Sequence, residues 1–335
     1  MDALLDAIAH LEMPEGACRI FHGRGGRFPG CEAWTLDAFP PVLLLTSFRP
    51  LQDAELAAVG CALQRRWDRG DMPHALNWVL QVRHEGAAES RLMQGSIPTP
   101  HTVNEAGSRY HVQLLKGQNH GLFLDMAEGR HWVAQLARQH PGLKVLNLFA
   151  YTCAFSVVAL QHGAAQVVNV DMSRGALATG QRNHQTNGLA SGASFWAHDI
   201  FSSWGKIGRS GPYDLVIADP PSYQKGSFVA SKDYARLIRR LPDLLVPGGQ
   251  ALLCLNAPEL GPTFLQAQVA ELAPTLRCVQ RLDNPPAFAD VDEARSLKAL
   301  VFRQDGHGVL GASAQGDAAA GPPTPAGLAA SAAAR

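Results

Sequence analysis

Asp219 stands between the apolar run Tyr213-Asp214-Leu215-Val216-Ile217-Ala218 and two prolines, in the order Asp219-Pro220-Pro221-Ser222-Tyr223. Each proline fixes its own φ near about −65° and pushes the residue before it out of the helical region, so the chain leaves a strand extended and aims the carboxylate. Neither proline has an N–H. The local backbone therefore offers carbonyl acceptors, which together with Asp219 suit a substrate that brings hydrogen-bond donors, such as the amino and imino groups of a purine. The competing reading is a Pro-Pro pair that only ends a strand.

A second acid, Asp171, closes the run Gln166–Asp171, 20 residues beyond Tyr151 in the turn Asn147-Leu148-Phe149-Ala150-Tyr151-Thr152-Cys153-Ala154. An acid at that distance after a first strand is placed to accept hydrogen bonds from both ribose hydroxyls of a nucleotide or nucleoside. The GxGxxG fingerprint is missing, and no glycine lies between Asn147 and Gln161. A pyrophosphate needs close backbone approach, which this turn does not offer. A nucleoside cofactor without phosphates is the better fit, and in this architecture that points to S-adenosylmethionine. Asp199 follows a third strand, where it either reads an adenine amino group or caps a helix beginning at Ile200-Phe201. Asn147 and Asn256 are expected at two further strand ends.

The elements that must position these groups follow from the pattern beyond Gly121: strands at 144–150, 166–171, 193–198, 213–218 and 250–255, with helices near 155–162, 174–187 and 235–245. Such alternation predicts an α/β doubly wound, mainly parallel sheet with ligands at the strands' carboxyl ends. Two final apolar runs, Leu276–Leu282 and Leu297–Phe302, read as a closing antiparallel pair after a helix around 265–272. Upstream, residues 1–16 carry a short amphipathic helix and 17–118 a small α+β unit, with strands at 18–21, 42–46, 78–82 and 110–115 and a helix from Asp53 to Trp67. That unit is read as a surface for RNA or substrate contacts. The turn His22-Gly23-Arg24-Gly25-Gly26-Arg27-Phe28-Pro29-Gly30 between its first strands is either a phosphate cradle or a hairpin turn needing positive φ. The catalytic unit is placed at 119–303, and an Ala-, Gly- and Pro-rich tail, 304–335, is expected to be disordered.

Composition narrows the choices. The 335 residues are 46% hydrophobic with zero formal net charge, and residues 1–120 hold 11 Lys and Arg against 13 Asp and Glu. A broad basic footprint for bare nucleic acid is missing, so any such contact must be local. No apolar segment reaches the ~18 residues of a membrane span, and acids stand near the start where a signal peptide carries basic residues, so a cytoplasmic protein is expected. The six cysteines are scattered without a CxxC pair, which argues against a metal site and against disulfides.

Gly121-Leu122-Phe123-Leu124-Asp125, Asn147-Leu148-Phe149-Ala150-Tyr151-Thr152, Val170-Asp171-Met172-Ser173, Asn183 with Asn187-Gly188-Leu189, and Asp219-Pro220-Pro221 together resemble the class I S-adenosylmethionine-dependent methyltransferases of the large-subunit ribosomal RNA cytosine and guanine type. The resemblance covers roughly Cys18 to Phe302. It implies a Rossmann-like seven-stranded sheet preceded by a small α+β domain, S-adenosyl-L-methionine as cofactor and ribosomal RNA as substrate partner. By the same resemblance Phe149 and Tyr151 would lie by the methionine part of the cofactor, and Thr152, Met172, Ile200 and Asp219 are expected to join the cofactor-binding set. Asp171 would bind ribose, Asp199 would hold adenine, and Gly121, Phe123, Asp125 and Arg130 would pack over the cofactor. Asp219 and Pro220 would hold the target base. The family's extra N-terminal RNA-binding domain has no counterpart in this sequence.

Two departures refine the expected chemistry. The family usually has Gly after Tyr-Thr, and here Cys153-Ala154 follows; a positive φ at Cys153 would cost about 1–2 kcal/mol. Methylation of a carbon needs a covalent nucleophile, which the cytosine members carry as a Cys shortly after a Gly-Gly pair; here Gly248-Gly249 leads to Asn256 at that place, with Cys254 expected deeper in the strand. Asn256 resembles the guanine members, where a nitrogen lone pair attacks directly. Tyr223 is expected to stack on the base, or else to cover the sheet edge; Lys225 is expected to meet a phosphate or only solvent. The reading is thus a methyltransferase on a nucleobase nitrogen in ribosomal RNA, guanine favoured. Its alternatives are a methyltransferase on a small molecule or protein side chain, and a non-catalytic RNA-binding assembly factor.

Overall fold

The computed structural model describes residues 1–221, 228–306 and the backbone of Tyr223 and Gln224. The first part of the chain runs α1 (Asp2–Ala9), β1 (Cys18–His22), β2 (Trp34–Phe39), β3 (Val42–Ser47), α2 (Asp53–Trp67), β4 (Trp78–His84) and β5 (Ala87–Gln94). These strands form one sheet in sequential order, antiparallel except that β3 and β4 are parallel neighbours with α2 as the crossover. Helices α1 and α2 cover one face through Leu4, Ile8, Val59 and Leu63 against Leu36, Leu43, Leu45 and Leu80. Two of the strands carry no sequence signal. In β2 Asp37 interrupts the apolar pattern, because Arg19 pairs with it inside the fold; in β5 the residues are polar and mostly exposed, as on a sheet edge.

A separate hairpin, β6 (Thr102–Glu105) and β7 (Ser108–His111), follows, so the strand expected at 110–115 ends at His111. Val112 and Leu114 instead turn inward and join a core of Val42, Leu44, Val79, Tyr110, Leu122 and Val157 that packs the other face of the first sheet against the second half of the chain.

The second half contains α3 (Ala127–Gln139), β8 (Lys144–Leu148), α4 (Ala154–Gln161), β9 (Gln166–Asp171), α5 (Arg174–Thr186), β10 (Ala193–Ala197), α6 (Trp204–Ser210) and β11 (Tyr213–Ala218). The paired dipeptides β12 (Tyr223–Gln224) and β13 (Phe228–Val229) come next, then α7 (Ala230–Ile238), α8 (Leu241–Leu244), β14 (Leu245–Leu255), α9 (Pro262–Leu272), β15 (Leu276–Leu282) and β16 (Lys298–Gln304). The large sheet has seven strands in the order β10-β9-β8-β11-β14-β16-β15; the first five are parallel and β16 is antiparallel to both of its neighbours. This is the α/β fold expected from the sequence. Both faces are buried: Leu146, Val168 and Val216 point into one core, Val145, Val167 and Leu215 into the other. Strands covered on both sides read as continuous apolar runs, which is why their positions are legible.

Strand order reverses between β8 and β11, and the crevice beyond their carboxyl ends is the place such sheets leave for a ligand. Gln304, where the tail was expected to start, still pairs with Leu276 as the last residue of β16, and the Asp305 N–H donates to Thr275 O at 2.8 Å. The rest of the tail from 307, with Ser222, Lys225 and the Tyr223 side chain, lies outside the described residues. Among the described residues no helix is long and apolar enough to cross a membrane.

Candidate active site

The turn after β8 holds three non-glycine residues at positive φ: Phe149 at 56°, Tyr151 at 47° and Cys153 at 62°. Each left-handed residue costs of order 1–2 kcal/mol, so the surroundings must impose the path. The Ala150 N–H donates to Val170 O at 3.1 Å and the Cys153 N–H to Ala150 O at 2.7 Å. The Asp171 carboxylate takes the Tyr151 N–H on Oδ2 and the Ser173 N–H on Oδ1, both at 2.8 Å. Asn183 Nδ2 donates to Thr152 O at 2.9 Å, and Thr152 Oγ1 donates to Gly121 O at 2.6 Å while the Gly121 N–H reaches Tyr151 Oη at 3.0 Å. The positive φ anticipated at Cys153 is therefore present. The Cys153 thiol fills the space over α5, where a Cβ on Gly180 would come within 2.5 Å of Sγ. Burial pushes that thiol well above its ordinary pKa, as expected for a packing residue.

The turn opens into a cleft of about 730 Å³ at the strand ends. Phe123, Asp125, Phe149, Tyr151, Thr152, Asp171, Met172, Asp199, Ile200, Asp219, Pro220 and Asn256, all singled out from the sequence, line it together. Asp199 does not cap a helix: its Oδ1 accepts the Phe201 N–H at 3.0 Å in a tight turn, and α6 begins only at Trp204. Asn147 departs from expectation. It is buried within β8, its Nδ2 donating to Asn169 Oδ1 at 2.9 Å. From there Asn169 Nδ2 donates to Ser156 Oγ at 3.0 Å, and Ser156 contacts His184 Nε2 at 2.9 Å. Since His184 Nδ1 faces Gly180 O at 2.7 Å and must carry the proton, Ser156 donates to Nε2 and the buried chain is satisfied throughout. An asparagine one residue from a strand end points to the opposite face from its neighbour, and here that face is core.

Gln118, Asn119, Phe201 and Leu297 also line the cleft and were not anticipated. Gln118 and Asn119 belong to the connection between the two sheets, and Leu297 precedes β16; only the tertiary fold brings them here.

Two of the carboxyl groups that line the cleft, Asp125 and Asp219, are close enough for the charge of one to act on the other. Burial, then the nearby Asp125 charge, push Asp219 up to about 7, with Arg130 opposing; burial likewise raises Asp125, against the pull of Arg19 and Arg130. Arg130 is buried and committed elsewhere: its guanidinium forks onto Glu105 at 2.5 and 2.6 Å and donates to Phe123 O at 2.8 Å. No other lysine or arginine lines the cleft among the described residues. A polyphosphate would find no charge partner there. A nucleoside sulfonium fits better, since Asp171 keeps lone pairs for hydroxyl donors and the rings of Phe123 and Tyr151, 5.2 Å apart, offer faces to a cationic centre.

Comparison with known proteins agrees with this geometry. The sequence model of a family described as S-adenosylmethionine-dependent methyltransferase matches residues 18–303. Ribosomal RNA large subunit methyltransferase I of Serratia proteamaculans is 31% identical over 307 residues, 85% of this chain and 74% of that protein. The same-named protein of Aeromonas salmonicida is 29% identical over 66% of this chain, which spans only 59% of that relative's length. Among solved structures, SMU.776 in complex with SAH superposes with a TM-score of 0.75 at 24% identity, covering 90% of this chain and 78% of that one. The Agrobacterium tumefaciens SAM-dependent methyltransferase reaches 0.64 at 16% identity, covering 88% and 91%. These last two likenesses show the fold. With the family match running from the start of β1 into β16, the chain belongs to the S-adenosylmethionine-dependent methyltransferases.

Proposed function

We propose that this protein methylates a nucleobase nitrogen, guanine favoured, in large-subunit ribosomal RNA. The observation that carries the choice of nitrogen is Asn256 at the mouth of β14, with no thiol lining the cleft among the described residues. Cys254 is fully buried, burial holds its thiol well above the ordinary range, and the Tyr234 hydroxyl donates to its backbone carbonyl. A carbon target needs a thiolate to make the ring reactive, whereas a ring nitrogen attacks with its own lone pair. The ribosomal RNA reading is supported by the names of the Serratia and Aeromonas relatives, and it puts the protein with its substrate in the cytoplasm.

In this reading Asp171 holds the cofactor's ribose and Asp199 its adenine, Phe149, Tyr151 and Thr152 flank the methionine part, and Phe123, Asp125, Met172 and Ile200 close around it. The cofactor, when bound, supplies a methyl group on a positively charged sulfur. The protein's own part is alignment and exclusion of water, since displacement at a methyl carbon requires the attacking atom in line. Asp219, with the carbonyls of Pro220 and Pro221, accepts hydrogen bonds from the base's imino and amino groups. When the attacking nitrogen carries a proton, Asp219 is poised by its pKa of about 7 to take it. Asn256 orients the base edge, and Tyr223 is assigned to stack on it.

Modified nucleosides in ribosomal RNA from a deletion strain, measured by mass spectrometry, test the substrate: one methylated guanosine is expected to disappear, and an unchanged profile overturns the RNA assignment. Transfer of labelled methyl to RNA against a metabolite extract then separates RNA from small-molecule chemistry.

A further inference from the structure

The Gly-rich turn between β1 and β2 does not cradle an anion with its backbone. Gly23 and Gly25 are buried, a Cβ on either would strike Cys31 O or Ala289 O at 1.8 and 2.3 Å, and the Gly26 N–H is spent on Gly23 O. The glycines pack the turn against its neighbours and so fix Arg24 between them, its side chain open to solvent on one side while its guanidinium is partly covered by the Phe48 ring. The Arg24 guanidinium lies 4.0 Å from the centre of the Phe48 ring, and that of Arg83, from β4, lies 5.7 Å from the same ring. Arg19 completes the group and holds Asp37 through two hydrogen bonds of 2.7 and 3.0 Å. Neither Arg24 nor Arg83 has a carboxylate partner among the described residues. His22 adds no charge at neutral pH, because burial and the adjacent Arg19 lower it to about 4. The guanidiniums feel one another: burial and Arg19 lower Arg24, and burial with Arg24 and Arg19 brings Arg83 down to about 10 despite Asp37.

Like charges gathered on one ring with a single paired acid are costly unless an anion completes them. Their position says which anion. Arg83 donates to the backbone carbonyl of Gln118, and Gln118 with Asn119 lines the cleft that holds Asp219. Arg19 stacks at 4.3 Å on Phe288, beyond which the Val291 N–H bonds Gly25 O, so the cluster sits on the seam between the two sheets. We propose that Arg24 and Arg83, braced by Phe48 and Arg19, bind the backbone phosphates of the RNA strand whose base enters the cleft. This rests on the RNA reading above. In a chain of zero net charge, a local cluster is how the phosphate contact is made.

The test uses the full-length protein and two probes: deproteinised large-subunit ribosomal RNA from the deletion strain for methyl transfer, and a fluorescein-labelled single-stranded RNA 20-mer for binding. R24Q is expected to raise KM for RNA roughly tenfold with little change in kcat, and to reduce the slope of log K against log salt by about 0.7; R24Q/R83Q should lose about twice that slope. R24K, which keeps the charge, should restore the slope. Because Arg83 also holds Gln118, the thermal midpoint and calorimetric SAH affinity of each variant are measured alongside, and both should match the parent for R24Q. If the parent methylates and binds RNA but R24Q/R83Q keeps its affinity and salt slope, the phosphate assignment is overturned and the RNA reading stands. If the parent neither binds nor methylates RNA, both fall together.

Discussion

Asp219 unites placement and protonation in one side chain. With its carboxyl raised to about 7, a substantial fraction is protonated at neutral pH, so base binding through the ionised form should strengthen as pH rises from 6 to 8. The pH profile of kcat/KM for the parent is expected to climb through about 7, and a flat profile across that range would count against Asp219 as acceptor. D219N should lose methyl transfer by roughly 100-fold or more. Its effect on stability has the opposite sign. A carboxyl whose pKa is higher folded than unfolded contributes stability that is complete below the unfolded value near about 4 and is lost as pH rises through the folded value of about 7. D219N should therefore raise the unfolding free energy at pH 8 by about 1–3 kcal/mol and give little or no gain at pH 4, measured by denaturant titration at both. At this scale the sequence was informative where chemistry is local. The Pro-Pro exit aimed Asp219, and the spacing to Tyr151 placed Asp171. It misplaced Asn147, because which face of β8 an asparagine takes depends on Asn169 and Ser156 standing opposite.

The turn after β8 shows how an element stores strain and what restrains it. Cys153 was flagged by the glycine it replaces, but the positive φ at Phe149 and Tyr151 left no trace in the sequence, since neither residue type announces that conformation. The path is dictated from outside, by Asp171, Asn183 and Gly121. Gly180 on α5 is the tightest of these constraints. G180A should force its methyl group onto Cys153 Sγ and destabilise the fold by about 1–3 kcal/mol, with a clear loss of SAH affinity by calorimetry. C153G, which removes the thiol and the strained Cβ together, should rescue G180A, so the two substitutions are non-additive in a double-mutant cycle. Additive effects would mean that the helix and the turn are not coupled through this contact. The missed strands follow the same logic: β2 and β5 exist because of Arg19 and of their neighbours' edges, neither of which is written in their own residues.

Across the whole molecule, the cleft depends on how the two sheets are joined. The β6–β7 hairpin is clamped to α5, the His111 N–H donating to Asn183 Oδ1 at 2.8 Å and the Arg109 N–H to Asn187 Oδ1 at 2.8 Å. It is clamped to α3 through Glu105 and Arg130, whose guanidinium also carries Phe123 O. Nothing in the spacing of Glu105 and Arg130 marked them as partners; the pair forms only after the hairpin folds back over α3. Burial opposes the charge on Arg130, and the Glu105 carboxylate more than restores it. Removing one member of a buried pair strands the other, at a cost of about 3–5 kcal/mol. E105Q should thus lower stability by that order in urea titration. It should also loosen the segment from Phe123 to Asp125, weakening SAH affinity measured by calorimetry below the unfolding midpoint. R130M, which removes the charge and keeps most of the volume, should relieve the stranded cation and make E105Q/R130M more stable than E105Q alone. Phe123 O would still lack its donor in that double variant, so cofactor affinity should stay low while stability recovers. Recovery of both together would place the clamp's effect in global stability alone rather than in the seating of Phe123 over the cleft.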